Sequence, residues 1–163
     1  MIDPSPVAPL AGGSVFVELD SAAPGMLTPS LRARARFVAD PLAHDTPAVR
    51  LRLATVGVDV CPVRLGQVHS LWLRPCFAVE PGALFATGAG LARPRTAVAF
   101  WLDLAAAARL GYAVNPRLAL AIEGAAVVPV VRPSYVRELP RAEVAQVRPV
   151  AVAGTFSVMI RFP

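Results

Sequence analysis

Lysine is missing from this sequence, and asparagine occurs once, at Asn115. All sixteen basic residues are therefore arginines, set against eleven Asp and Glu, and the formal net charge is +5. A very GC-rich genome imposes this kind of codon bias, so part of the arginine content stands in for lysine. The basic balance alone therefore does not identify a nucleic-acid-binding protein.

Residues that usually carry catalysis or hold metals are also scarce. His44 and His69 are the two histidines; each has a polar neighbour, but adjacent strand residues point to opposite faces and make no triad. The carboxylates are scattered, and a metal site needs several converging ligands. The stretch 88–90 reads G-x-G without the third glycine of a nucleotide loop. We predict no catalytic residue, no metal site and no cofactor, and hence no enzyme.

Long uninterrupted apolar runs are absent as well. The longest candidates are broken by Glu80, Asp103 or Glu123, so no transmembrane helix is expected. The first fourteen residues have neither a basic start nor an apolar centre, so they do not resemble a secretory signal. Their prolines and glycines predict an extended arm over residues 1–13, followed by one domain over residues 14–163.

The two cysteines, Cys61 and Cys76, lie fifteen residues apart. For a chain without a secretory signal, the favoured interpretation is two buried free thiols on adjacent strands. A disulfide across a hairpin is the alternative.

What the chain does have is alternation. From Pro149 to Pro163, Val, Phe and Ile fill one phase, and small or polar residues fill the other. This period of two is typical of a half-buried strand. Residues 14–20 repeat it, with Val15, Val17 and Leu19 expected to point inward.

Between these ends the pattern predicts further strands and long connections. The apolar phase slips near Ala54 and Thr55, which predicts a β-bulge or a bend. Residues 75–95 are rich in Gly and Pro and predict a long excursion. Residues 105–111 fit either a short helix or a continued strand, and residues 134–146 suggest an exposed loop. The fold class is therefore all-β: an antiparallel, jelly-roll-like β-sandwich of about eight strands with little helix.

The tightest group of charges is Arg32, Arg34 and Arg36, which alternation places on one strand face. The favoured interpretation is a solvated face. The alternative is a contact with an acidic partner chain or non-specific contact with packaged nucleic acid. If the protein assembles, the arm 1–13 and the loop 81–95 are expected to contact neighbouring subunits or other shell proteins, and Phe85, Arg93 and Arg95 of this loop join the three arginines as partner-contact residues.

The apolar composition and the lack of catalytic or metal-binding motifs together favour a structural protein that forms an assembly. Hydrophobic residues make up 55% of the chain and charged residues 17%, which is lean for a soluble monomer. We expect a homo-oligomeric structural virion protein from a virus or phage of a GC-rich host, either a small capsid subunit or a capsid-decorating protein. Its location is then the virion, or else the cytoplasm.

Two other functions stay open at this point. One is a carbohydrate- or ligand-binding β-sandwich module that uses Trp72 or Trp101 on an exposed face, although packing is the commoner use of two tryptophans. The other is an enzyme with a dispersed site.

Overall fold

A computed structural model describes residues 10–21, 27–39, 49–68, 70–88, 96–131, 134–138, 141–146 and 149–162. His44, His69, Arg93, Arg95 and most of the arm predicted for residues 1–13 lie outside these ranges. The described residues contain strands and no helix. The all-β prediction is therefore confirmed for this part of the chain.

Ten strands follow one another in the order β1 (Ala11–Asp20), β2 (Ser30–Ala39), β3 (Val49–Cys61), β4 (Leu65–Val68), β5 (Leu71–Gly88), β6 (Thr96–Ala113), β7 (Leu118–Pro129), β8 (Ser134–Glu138), β9 (Arg141–Gln146) and β10 (Ala151–Ile160). Seven of them form one sheet in the order β1-β2-β3-β5-β6-β7-β10, and every neighbouring pair is antiparallel. Strand β4 pairs with β5, and β8 with β9 in a separate hairpin. The sheet curls and stays open between its two edge strands.

The antiparallel arrangement and the strand number agree with the sequence prediction, but a jelly-roll sandwich is not confirmed. A sandwich requires a second sheet packed on the first. The large sheet described here instead curls so that its own inward side chains meet one another. The interior is therefore lined by the inward face of this one sheet.

The bulge predicted near Ala54 and Thr55 is wrong. Thr55 lies opposite Gly82 and Val58 lies opposite Val79, so the β3–β5 register does not shift between them. The phase slip has another cause: Leu53 points inward into a small apolar cluster, whereas Val56 points outward.

The segment 105–111 continues the strand β6 and is not a helix. Alanine favours helices intrinsically, but both neighbours of β6 pair along this stretch, and Ala105 packs against Ala78 and Val127. Tertiary pairing overrides the local propensity here.

Two predicted loops are strands instead. Strand β5 continues through Pro75 and Pro81 to Gly88, so the excursion predicted for residues 75–95 is wrong over residues 75–88. The β3–β5 ladder has no assigned pairs opposite Pro81, where the missing N–H breaks the pattern of hydrogen bonds. The exposed loop predicted for residues 134–146 is the β8–β9 hairpin.

The orientation of the first strand is the reverse of the prediction. Val15, Val17 and Leu19 point outward, and Val15 is 73% exposed, whereas Glu18 between them is turned to the inside. No helix long and apolar enough to cross a membrane occurs among the described residues.

Candidate functional site: an ion-pair network inside the curled sheet

Charged side chains occupy the inward positions of the sheet. Because side chains alternate along a strand, a charge between two apolar residues goes to the opposite face from them. Six strands contribute in this way. The largely buried inward set contains five arginines and five carboxylates, and the more exposed Asp20 adjoins it through Arg74. The ten members are Arg32, Arg34, Arg36, Arg74, Arg109, Glu18, Asp59, Glu80, Asp103 and Glu123.

Arg109 on β6 lies at the centre of this network and is completely buried. Its Nε donates to Glu123 Oε2 over 2.8 Å, its Nη1 to Glu18 Oε1 over 3.2 Å, and its Nη2 to Asp59 Oδ2 over 3.4 Å. These acceptors belong to β7, β1 and β3, so one guanidinium joins strands from across the curl. The fork of donors on arginine suits such a role, which a lysine ammonium could not fill in the same geometry.

Arg34 and Arg36 on β2 extend the network toward β5 and β7. Arg34 pairs with Glu80 and donates from Nη1 to Glu123 Oε1 over 3.2 Å. Arg36 Nη2 lies 2.6 Å from Glu80 Oε2, which also accepts a hydrogen bond from the Thr55 hydroxyl over 3.1 Å. In a flat sheet, β2 and β7 would lie roughly 19 Å apart, four strand spacings. Their direct contact shows how tightly the sheet curls.

One rim of the network is formed by Arg74 on β5. Its Nη1 lies 2.8 Å from Glu18 Oε1 and 2.5 Å from Asp20 Oδ1. The guanidinium also stands 5.2 Å from the ring centroid of Trp72, and Arg64 stands 5.6 Å from the same ring. These are cation–π distances.

At the other end, apolar side chains close the network. Trp101 Nε1 donates to Asp103 Oδ2 over 2.8 Å, and the Trp101 ring packs with Leu53 and Leu84. The tryptophan therefore satisfies an inward carboxylate on one side and borders the inward apolar cluster on the other.

The carboxyl groups respond to this setting in two ways. Burial by itself raises the pKa of Glu18 and of Glu123, but the charges of Arg32 and Arg109 outweigh it, and both pKa values lie below the usual 4.5. For Asp59 and Asp103, burial dominates and raises the pKa above the usual 3.8. The network thus holds Glu18 and Glu123 firmly as anions, which is the state of a structural ion pair.

The outward face of the same sheet is apolar. Along the seven strands of the large sheet, the described outward charges are Arg50 and Arg52, both at the start of β3. Large apolar side chains are exposed on every one of these strands: Val15, Val17, Leu19, Leu31, Phe37, Val56, Val58, Val60, Leu71, Leu73, Phe77, Val79, Val98, Phe100, Leu104, Leu110, Tyr112, Ile122, Val128, Val152, Phe156, Val158 and Ile160. The described part of the large sheet therefore turns its charged side chains inward and most of its large apolar side chains outward.

The arginine cluster predicted from the sequence does share one strand face, but that face is not solvated. Arg32 is 4% exposed and is paired within the chain; the interpretation as a solvated face is wrong. A contact of Arg32, Arg34 or Arg36 with a partner chain stays a prediction. Phe85 lies half-buried on β5.

Two further pairs are settled by the structure. Cys61 and Cys76 form a disulfide between β3 and β5, so the preference for free thiols is wrong. Trp72 and Trp101 are both buried, at 3% and 8% exposure, which agrees with packing as their role.

The sequence analysis missed the carboxylates as a group. Each of Glu18, Asp59, Glu80, Asp103 and Glu123 is flanked on both sides by apolar or small residues within its strand, and this recurrence was the available signal. A single such residue is unremarkable, but five of them in five strands indicate one shared interior. No group of three or more His, Cys, Asp or Glu suited to a metal ion occurs in the described ranges.

Comparison with protein families, curated proteins and solved structures finds no match to this chain. Its function is therefore argued from the geometry of the sheet.

Proposed function

We propose that this protein is an integral membrane protein in which the curled sheet stands in a lipid bilayer. The outward apolar face contacts the acyl chains, and the inward ion-pair network is shielded from them. One observation carries this proposal: the polarity of the sheet is reversed relative to a protein that folds around an apolar core in water.

The energetic argument starts from the small size of the inward apolar clusters. One contains Leu53, Leu84 and Trp101, and the other contains Ala78, Ala105 and Val127. Fully burying one large apolar side chain contributes about 1.5–3 kcal/mol, yet most such residues here face outward. In water that contribution would be lost, whereas hydrocarbon around the sheet restores it on every strand.

Strand dimensions support the same proposal. A strand needs about 9–11 residues to cross the hydrocarbon layer at a tilt, and β1, β2 and β10 have ten residues each. The outward charges Arg50 and Arg52 stand at one strand end, where long side chains reach the lipid headgroups. Tyr112 faces outward near the opposite end of β6, a position at which aromatic residues favour the membrane interface.

The interior also meets the requirement of a hydrocarbon environment. Charges within a membrane face the protein interior and pair with one another, as the five arginines and five carboxylates do. Antiparallel ladders pair the strands between the two edges on both sides over most of their length and satisfy the backbone there. The buried Cys61–Cys76 disulfide supports a membrane that borders an oxidising compartment, since disulfides are rare in the cytosol.

The proposal is tested by placing one charge on the outward face. Val79 lies midway along β5 and is 48% exposed, and Leu71 begins the same strand and is 45% exposed. In lipid vesicles Val79→Arg should destabilise the fold by about 2–4 kcal/mol and Leu71→Arg by no more than about 1, because the cost depends on depth. Denaturant unfolding of vesicle-bound protein measures both.

The result that contradicts the proposal is equally direct. If the outward face meets water, the two variants should have the same small effect, and the native chain should not float with vesicles in a density gradient. A large fixed assembly formed without lipid or detergent would favour the shell subunit predicted from the sequence. That second function draws its support from the same exposed apolar face, which copies of the chain could cover for one another. The burial of both tryptophans gives no support to the binding-module alternative.

A further inference from the structure

The two outermost strands of the large sheet, β1 and β10, each have one unpaired edge in the described part of the chain. All ten residues of β1 have partners in β2, and all ten residues of β10 have partners in β7. Among the described residues, none pairs with the opposite edge of either strand, so its N–H and C=O groups are open there. In hydrocarbon each unsatisfied backbone group costs several kcal/mol, so open edges do not persist there.

Natural sheets protect their edges from pairing with proline, bulges, short length or charged side chains, inward-pointing ones included. Of these features, β10 has none, and β1 has only the inward charges of Glu18 and Asp20, which arginines of the same chain already neutralise. Strand β10 contains no proline and no charged residue, and β1 contains no proline and no register shift. The acidic residues of β1, Glu18 and Asp20, pair with Arg74 on the inner side. Both edges are therefore suited to receive another strand.

The topology fixes the direction of that strand. Seven strands alternate in direction from β1 to β10, and because seven is odd, β1 and β10 run the same way. A pair of β1 with β1, or of β10 with β10, from a second copy would either invert one copy across the membrane or join the apolar face of one copy to the charged face of the other. Copies that share one orientation and keep their apolar faces continuous can pair only β1 with β10, in parallel.

We infer that a second copy of this chain covers these edges, with β1 of one copy paired in parallel to β10 of the next. This inference rests on the membrane location proposed above. The two edges match in length, at ten residues each. Their outward faces match in chemistry, since Val15 and Val17 on β1 would continue the apolar surface of Phe156 and Val158 on β10.

The inward faces of the two edges are compatible as well. Strand β10 turns Ala153, Ser157 and Met159 inward, so no charge on β10 meets the acidic residues of β1. The inward network already pairs its five arginines with five buried carboxylates and with the more exposed Asp20 of the same chain. Because the contact is head-to-tail, copies close into a ring when the rotation between them permits it.

The test is cross-linking between single-cysteine variants in vesicles. Val17→Cys places a thiol outward on β1, and Phe156→Cys places one outward on β10. The native cysteines are joined and buried and do not react. The two variants are purified separately, mixed before insertion and treated with a short bifunctional thiol reagent. Neighbouring outward positions, Val15 and Val158, are used in parallel so that a shift of register cannot hide the contact.

The inference predicts a cross-linked dimer from the Val17→Cys and Phe156→Cys mixture and none from either variant alone. Cross-links within one variant would show pairing of like edges and overturn it. A double variant that cross-links only within its own chain would show that the sheet closes on itself, and would also overturn it, as would the absence of cross-links at every position. If the mixed dimer forms in buffer while the chain fails to bind vesicles, the membrane proposal fails and the edge pairing stands.

Discussion

Replacing Arg109 by Met should be the most damaging single change in the inward network. The guanidinium is completely buried and contacts Glu123, Glu18 and Asp59 at 2.8, 3.2 and 3.4 Å. Methionine keeps an unbranched apolar stem but leaves these carboxylates without their common partner. The inward set would then hold four arginines against five carboxylates.

The size of the effect follows from the partners that remain. Arg32 still contacts Glu18 and Glu123, and Arg34 still contacts Asp59 and Glu123. The loss should therefore fall below three full charge-assisted hydrogen bonds and near the cost of breaking one buried pair, about 3–5 kcal/mol.

Unfolding of the vesicle-bound protein in urea measures this loss, with the fluorescence of the buried residues Trp72 and Trp101 as the signal. Arg117→Met is the matched control, because Arg117 lies exposed in the turn between β6 and β7, and it should not change the midpoint. The double variant Arg109→Met, Glu123→Gln should lose about 1–3 kcal/mol less than the sum of the single losses, because the two residues interact. A loss below about 1 kcal/mol for Arg109→Met would refute the reasoning, since that is the value of a solvated pair.

Two further changes separate other parts of the structure. Because the pKa of Glu123 is lowered from 4.5, its carboxylate stabilises the fold above that pH and loses the effect as pH falls through the folded-state value; Glu123→Gln should flatten the acid side of a stability–pH curve. The pKa of Asp103 is raised from 3.8, so its contribution is present at lower pH and lost as pH rises, and Asp103→Asn should cost less at neutral pH than Glu123→Gln. Gly111→Ala should cost about 1–3 kcal/mol by overpacking, because a Cβ there meets the Trp72 ring, while Gly124→Ala meets nothing within 4 Å and should unfold at the native midpoint.

The sequence was sufficient to predict strands but not the side on which the interior lies. Because side chains alternate along a strand, the pattern predicts that residues such as Val15 and Val17 share one face and that Glu18 lies on the other. It contains no information on which face is enclosed. The assumption of an aqueous surrounding decided that question, and it placed Val15, Val17 and Leu19 inside when they are outside. The same assumption turned the change of face near Ala54 into a predicted bulge.

The loops were misplaced for a different physical reason. Pro75 and Pro81 lack an N–H and normally mark turns or edges, yet both lie within β5, which is paired to β6 from Leu71 to Thr87. A gap in the β3 ladder opposite Pro81 accommodates one of them. Long-range pairing of this kind leaves no local trace in the sequence.

The ion-pair network could not have been assembled from sequence distance. Arg109 and Glu18 are 91 residues apart, and Arg34 and Glu123 are 89 apart.

What the sequence does show is a constraint of composition: 55% of residues are hydrophobic and 17% are charged. In water these numbers suggest an apolar core that has too little polar surface to cover it. In the structure the charged side chains lie mostly on the inside, where five arginines and five buried carboxylates pair with one another. An interior of ion pairs is favoured over an apolar core only where the surrounding is not water, because a buried ion pair by itself adds little stability over apolar packing. The membrane location proposed above gives the composition, the reversed alternation and the paired network one common physical cause, an apolar surrounding, and it predicts that the chain unfolds or aggregates when that surrounding is removed.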